Sequence, residues 1–279
     1  MAFLTTAVSA LATEPPAAPS PAATPSPVAT PELSPAPANI GEAPKPGALV
    51  RISGDAKRVP ERTKNGGYTL AGTALRITAP LPDGYPAPTP PGAIELKTYP
   101  SVRRAEYTVA GEPFAAMLKS FRPLYNHISD RKIPMTSPVE MDFPPAAGDG
   151  EKKEGAEQSP EWKVSFLYRT KELGPTGTDG KVTIVDTAET TVISIGIDGS
   201  VAGPETVVDE EAELRKWLSS QDQWEQAGEP RSLGYTGPGE LPWSELQIPL
   251  RRKDAGAKAS ATQSSATDPE HTAAPQGGK

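Results

Sequence analysis

Histidine and cysteine, two side chains that often carry nucleophilic, acid–base or metal chemistry, are scarce in this chain. The two histidines are His127 and His271, and none of the 279 residues is a cysteine. The missing thiols exclude disulfides, thiolate metal sites, iron–sulfur clusters and cysteine nucleophiles. No serine lies in a nucleophile-elbow sequence, and no glycine-rich segment has the GxGxxG spacing that binds phosphates. This inventory favours a binding protein over an enzyme.

The elements around His127 begin with a predicted helix whose apolar residues recur at intervals of three and four, on one face. These residues are Phe114, Met117, Leu118, Phe121, Leu124, Tyr125 and Ile128. Pro123 interrupts the series, so we expect a kink or a restart close to Arg122. On an ideal helix His127 points away from the apolar face, which favours a solvated histidine near the helix end.

Alternating apolar and polar residues predict strands on both sides of this helix. The strands lie within residues 94–109, 133–143, 162–168, 182–185, 191–197, 232–235 and 245–250, and a second helix lies near residues 206–219. Residues 133–143 and 162–168 are expected to form an antiparallel hairpin with a long charged loop. The order strand–helix–strand–strand occurs twice, which indicates a duplicated α+β unit.

Composition divides the chain into one folded domain and two tails. Residues 1–47 are rich in alanine and proline, and residues 254–279 contain no Leu, Ile, Val, Met or aromatic residue, so neither stretch is expected to build a core. Residues 48–91 are predicted to be a partly ordered arm with one strand near residues 69–78. The domain proper is expected at residues 92–253.

Charge and hydropathy restrict the partners of this domain. The formal net charge of -7 argues against a general attraction to nucleic acid or anionic lipid. The sequence contains no run of about 18 or more apolar residues, so it predicts no membrane-spanning helix. Residues 1–12 resemble a degenerate signal peptide without its usual positive start, so an exported or periplasmic location and a cytoplasmic one both stay open.

Three segments carry a more specific signal. They are IELKTYPSVRRAEYTV (residues 94–109), KIPMTSPVEM (residues 132–141) and GYTGPGELPWSELQIPL (residues 234–250). Together and in this order they resemble the signature segments of the SOUL haem-binding family. The resemblance implies duplicated β-α-β-β units that form an eight-stranded antiparallel, partly barrel-like sheet with two helices. It also implies non-covalent binding of haem or a related tetrapyrrole, through an axial histidine or through an apolar cleft.

The resemblance directs attention to side chains that could hold a haem. Iron ligands other than cysteine are His, Tyr and Met, and the candidates here are His127, Tyr125, Met117 and Met135, with His127 the metal ligand to test first. Phe121 is a candidate ring contact. Cations that could pair with carboxylates of the ring are Arg103, Arg104 and Lys132. The alternative for the apolar candidates is the core, and for the cations ordinary surface charge.

Two functions follow from these observations. The first is a non-catalytic binding module for haem or a related tetrapyrrole. The second is a protein-interaction or small-molecule effector-binding domain on the same scaffold, without haem. A cleft between the helices that is open and apolar favours the first, whereas a cleft filled by Trp162, Trp217 or Trp243 favours the second.

Overall fold

The computed structural model describes residues 40–145, 159–201, 203–237 and 239–253. The predicted signal peptide at residues 1–12, most of the first tail and the tail at 254–279 lie outside these ranges. The elements are β1 Leu49–Ser53, β2 Pro60–Arg62, β3 Tyr68–Leu70, β4 Arg76–Ile77, β5 Ile94–Tyr99, β6 Arg103–Ala110, α1 Pro113–Asp130, β7 Val139–Asp142, β8 Glu161–Leu167, β9 Gly177–Asp179, β10 Val182–Asp186, β11 Thr190–Asp198, α2 Val208–Ser219, β12 Trp224–Gln226, β13 Arg231–Gly234 and β14 Trp243–Arg252.

An antiparallel sheet forms the centre of the α+β fold. Within the described ranges it has eleven strands in the order β1-β5-β11-β14-β13-β7-β8-β6-β10-β9, and β12 pairs with β14. The sheet is open, not closed into a barrel, and the prediction of eight strands was wrong because β1, β9 and β12 extend it. The predicted hairpin of β7 with β8 is confirmed. The duplication of the two halves stays a prediction.

The two faces of the sheet carry different cores, because successive residues of a strand point to opposite sides. In β5, Ile94 and Leu96 pack into the core under the two helices. Tyr99 belongs to a second core on the other face, which includes Leu70 and Ile77 from the arm. The arm at residues 48–91 is therefore packed against the sheet. Its predicted single strand at residues 69–78 is instead the pair β3–β4, joined by a turn.

A segment that we call the strap, residues 80–91, crosses the second face of the sheet. Two residues of the strap, Leu81 and Thr89, are buried. The backbone N–H of Thr89 donates to Glu245 at 2.6 Å, and the carbonyl of Ala87 accepts from Lys97 at 2.7 Å. The strap thus removes these two charged side chains from water.

The first helix continues through its internal proline. It runs from Pro113 to Asp130 with Pro123 inside, so the predicted restart near Arg122 does not occur, and the alternative of a kink there stays a prediction. Pro113, in the first turn, is well tolerated because the N–H that proline lacks has no partner inside the helix there. No helix in the described ranges has the length and apolar character needed to span a bilayer.

Candidate functional site

The face by which α1 packs on the sheet is not its most apolar face. The buried residues of the helix are Ala116, Ser120, Leu124, His127 and Ile128. Alanine and serine let the helix backbone approach the sheet closely, and the hydroxyl of Ser120 donates to the carbonyl of Ala116 at 2.7 Å. Large side chains of the sheet, such as Phe166 and Tyr168, fill the volume instead.

The apolar residues predicted for one face are therefore divided between the core and the surface. Leu124 and Ile128 are buried, and Met117 is half-buried against the core. The exposed fractions of the other four are 63% for Phe114, 60% for Leu118, 40% for Phe121 and 51% for Tyr125. At 3.6 residues per turn, this exposed row lies roughly 100° around the helix from the packed face. We call Phe114, Leu118, Phe121 and Tyr125 the α1 stripe.

The α1 stripe has aromatic geometry and neighbouring positive charge. The rings of Phe121 and Tyr125 are nearly parallel, with centroids 6.2 Å apart and an interplanar angle of 11°. Phe121 also meets the edge of Phe166 at 5.2 Å. Lys119 and Arg122 are exposed on the same helix, and neither makes an ion pair or hydrogen bond with another described residue. Arg122 borders the stripe, whereas Lys119 lies roughly 130° further around the helix, so the stripe combines apolar ring contacts with one available cation.

His127 is buried, with 3% of its surface exposed, so the expectation of a solvated histidine was wrong. Its Nδ1 lies 2.7 Å from a carboxylate oxygen of Asp179, and its Nε2 lies 2.6 Å from the hydroxyl of Tyr168. Because a carboxylate only accepts, Nδ1 donates to Asp179 and Nε2 accepts from Tyr168. Both ring nitrogens are occupied, and iron ligation would require one of these bonds to break.

The surroundings of His127 explain its burial. The hydrogen bond from His127, with the charge of Arg131 at 2.6 Å, lowers the pKa of Asp179 below its ordinary value. Burial raises the pKa of Tyr168, so its hydroxyl stays protonated and donates. A cavity of about 310 Å³ lies beside the ring, with Asp130 and Lys181 among its lining residues. The arrangement ties α1 to β9 and does not present an open ligand position.

The other predicted residues are dispersed. Met135 is half-buried against the core, and Lys132 is exposed just beyond the end of α1, with a φ of 55°. Arg103 forms a two-pronged pair with Asp186 at 2.8 and 2.9 Å. Arg104 points to the sheet face opposite α1. Of the eight predicted site residues, only Phe121 and Tyr125 come together at the α1 stripe, and Met117 packs against the core.

Arg104 belongs to a buried charge cluster that sequence reasoning missed. Its guanidinium contacts Glu140 at 2.9 Å, Glu106 at 2.7 Å and Asp142 at 3.1 Å. Arg231 lies 3.7 Å from Glu140, and the hydroxyl of Tyr85 in the strap donates to Glu140 at 3.1 Å. The guanidinium of Arg104 is already paired with three carboxylates of the protein, so it is not available for a carboxylate of a ligand.

A second buried charge cluster surrounds Glu245. Lys97 donates to Glu245 at 2.9 Å and lies 3.5 Å from Glu95, and the side chains of all three are fully buried. Ser194 and Tyr235 donate to the same carboxylate, at 2.6 and 2.9 Å. The alternating pattern of β5 places Glu95 and Lys97 on the face away from the helices, where water would be the ordinary neighbour. The strap covers them instead.

We expect the first charge cluster to make stability depend on pH in acid. Burial alone would raise the pKa of Glu140, but the charges of Arg231 and Arg104 outweigh it and hold the pKa below its ordinary value of 4.5. A lowered pKa in the folded state means that Glu140 stabilises the fold above about pH 4.5, and that this contribution is lost as the pH falls further. The difference in unfolding free energy between wild type and Glu140→Gln should shrink below pH 4.5.

Urea unfolding at several values between pH 7 and pH 3 measures this difference. Glu229→Gln is the matched control, since Glu229 is exposed and makes no ion pair or hydrogen bond with any other described residue. A constant difference between wild type and Glu140→Gln across this range would contradict the lowered pKa.

The three tryptophans that could fill a cleft are all buried. The exposed fractions are 2% for Trp162, 5% for Trp217 and 0% for Trp243. Trp162 and Trp217 pack in the core under the helices, and Trp243 packs in the core under the arm. A larger cavity of about 750 Å³ has acidic and basic lining residues, including Glu106 and Arg231. It lies on the face away from α1, so the exposed apolar surface at the α1 stripe is the better candidate site.

Comparison with known proteins agrees with the signature segments. The family model for SOUL heme-binding proteins matches residues 87–246, more than half of the chain. The chain belongs to the SOUL family. The match includes α1, α2 and the charged residues of both buried clusters, whereas β1 to β4 and the first half of the strap, with Tyr85, precede it. The family is described as haem-binding, and we call the matched region the SOUL domain. No curated protein matches the chain significantly.

Several solved structures are similar to this chain at low sequence identity. The C-terminal domain of EcmrR is 14% identical, with a TM-score of 0.43, over 57% of this chain and 98% of that one. A hydrolase from Listeria innocua is 14% identical, with a TM-score of 0.41, over 59% and 94%. A putative transcription regulation protein from Staphylococcus aureus is 11% identical, with a TM-score of 0.30, over 56% and 96%.

Proposed function

We propose that this SOUL domain binds haem or a related tetrapyrrole without catalysing a reaction, and that the α1 stripe is the contact surface. The observation that carries the proposal is the row of four exposed apolar side chains on one helix, with exposed fractions of 40–63%. An apolar patch of a few hundred Å² on a monomeric protein is often a binding surface. A flat ring with carboxylates matches the aromatic rings of Phe121 and Tyr125 together with the charge of Arg122.

The residues fit apolar capture better than ligation by histidine. His127 is buried, and both of its ring nitrogens make hydrogen bonds within the protein. It could bind iron only if one of these hydrogen bonds broke and the ring became accessible. Tyr125 is the predicted oxygen ligand that water can already reach, at 51% exposed. Haem supplies iron when bound, and this chain would supply the apolar contacts and the positive charge of Arg122 to orient the ring.

Haemin titration followed at the Soret band tests the proposal. We expect wild type to give a saturable shift at micromolar protein. The double variant Phe121→Gln/Tyr125→Gln should weaken the affinity by more than about tenfold, because each aromatic contact contributes on the order of 1 kcal/mol. Both side chains are exposed enough that the variant should fold, which its circular dichroism would check.

Two controls separate the stripe from the rest of the domain. Val208→Asp changes an exposed apolar residue on α2, outside the stripe, and should bind haemin as wild type does. His127→Gln can keep hydrogen bonds to its neighbours and should leave the spectrum of the complex unchanged. An absent shift in wild type, or an unchanged affinity in the double variant, would overturn the proposal. A changed spectrum in His127→Gln would restore the histidine as ligand.

One observation favours the alternative of a domain without haem. The tryptophans that were expected to fill a cleft between the helices in that case are all buried. In that case the α1 stripe would be a protein-interaction surface. A folded wild type with no Soret shift is the result that selects this alternative.

A further inference from the structure

A single helix offers only one wall of a ring-binding site. Ligand sites commonly enclose 70–90% of the ligand surface. The four side chains of the α1 stripe come from one element, and three of them expose half or more of their surface. A flat ring that lies on them would keep its second face in water. The second wall must come from another source.

The spacing of the stripe identifies a suitable wall. Phe114, Leu118, Phe121 and Tyr125 are separated by four, three and four residues, which is the a/d spacing of a helix–helix seam. The same stripe on a second copy has this spacing by definition. A twofold axis between Leu118 and Phe121 would place Phe114 of one copy opposite Tyr125 of the other.

The area of the stripe argues that two copies do not join without a ligand. Side chains of this size bury about 200 Å² each, so four half-exposed ones offer roughly 400 Å² per chain. A stable interface of standard size needs about 800 Å² per partner. A ring between the stripes adds contact with both of its faces and brings the buried area closer to that requirement.

The charges favour the same dependence on ligand. Arg122 borders the stripe and has no ion-pair partner among the residues that the structure describes. An antiparallel arrangement would bring the Arg122 side chains of both copies to one interface, where they repel each other. The carboxylates of a tetrapyrrole neutralise this charge.

We infer that two copies of this chain bind one tetrapyrrole between their α1 stripes, as a dimer that forms only with the ligand. The inference rests on the proposed function and adds a stoichiometry and an assembly to it. Each copy contributes half of the site, so neither is complete alone.

Sedimentation velocity combined with haemin titration tests the inference on the full chain. The protein alone should sediment as a monomer. With haemin, the mass should double and the Soret titration should reach its end point at 0.5 equivalents per chain. Iron-free protoporphyrin IX should also double the mass, because the wall is apolar and does not depend on ligation.

Leu118→Asp places a charge at the centre of the seam and should abolish the doubling, whereas Val208→Asp should keep it. An end point at one equivalent, with either mass, would overturn the inference and leave the proposed function intact. A monomer with a saturated Soret shift would do the same. The absence of any Soret shift would count against the proposed function itself, so the two failures are distinguishable.

Discussion

Replacing Lys97 by methionine is expected to lower the free energy of unfolding by about 3–5 kcal/mol, since removal of one partner leaves a buried charge uncompensated. The ammonium of Lys97 is fully buried and contacts Glu245 at 2.9 Å and Glu95 at 3.5 Å. It also donates to the carbonyl of Ala87 in the strap. Methionine fills the volume but provides no charge or donor, so the buried carboxylate of Glu245 loses its counterion, while Glu95 keeps its pair with Arg51 at 2.8 Å.

Urea unfolding of Lys97→Met measures the loss. Lys64→Met is the matched control, because Lys64 is exposed in a turn and should change stability by less than about 0.5 kcal/mol. The double variant Lys97→Met/Glu245→Gln should lose less than the sum of the two single variants, since it removes both members of the pair. A cost below about 1 kcal/mol for Lys97→Met would show that the pair is not buried as described.

Replacing Arg104 by methionine is expected to lower the free energy of unfolding by about 3 kcal/mol. Its guanidinium compensates Glu140, whose side chain is 1% exposed, and also contacts Glu106 and Asp142. Without it, Glu140 keeps only Arg231 at 3.7 Å and the hydroxyl of Tyr85. Because Arg104 faces away from the α1 stripe, the haemin affinity of the folded variant should equal that of wild type.

The comparison with Arg215→Met shows how burial decides the size of this effect. Arg215 pairs with Glu211 one turn earlier on α2, and both side chains are partly exposed. Loss of such a pair costs about 0.5 kcal/mol or less. An Arg104→Met variant as stable as Arg215→Met would contradict the buried cluster. A variant that folds but binds haemin weakly would restore Arg104 as a ligand contact, as the sequence had suggested.

Local periodicity was sufficient to predict the main elements of the domain. Side chains within one helix or strand are close in sequence, so their pattern reports which element forms. The segments around α1 and α2 and the hairpin of β7 with β8 were recognised in this way. The three signature segments also predicted the family, which the match over residues 87–246 shows.

The direction in which α1 packs could not be read from its own residues. Its apolar row predicts a buried face, but the sheet already holds large side chains such as Phe166, and a close approach requires Ala116 and Ser120. Packing against the sheet therefore buries His127 and leaves Phe121 and Tyr125 at the surface. The candidate site is the part of the apolar face that tertiary packing did not use.

The sequence by itself determined the order of the main helices and strands, the family and the absence of cysteine chemistry, because each depends on residue types or on neighbours along the chain. Tertiary structure alone decided the roles of the charged residues. Lys97 and Glu245 are separated by 148 residues, and Arg104 and Glu140 by 36. Such pairs form only when the strands align and the strap covers them. Their contribution to stability depends on this burial, because charges interact more strongly and cost more to leave unpaired away from water.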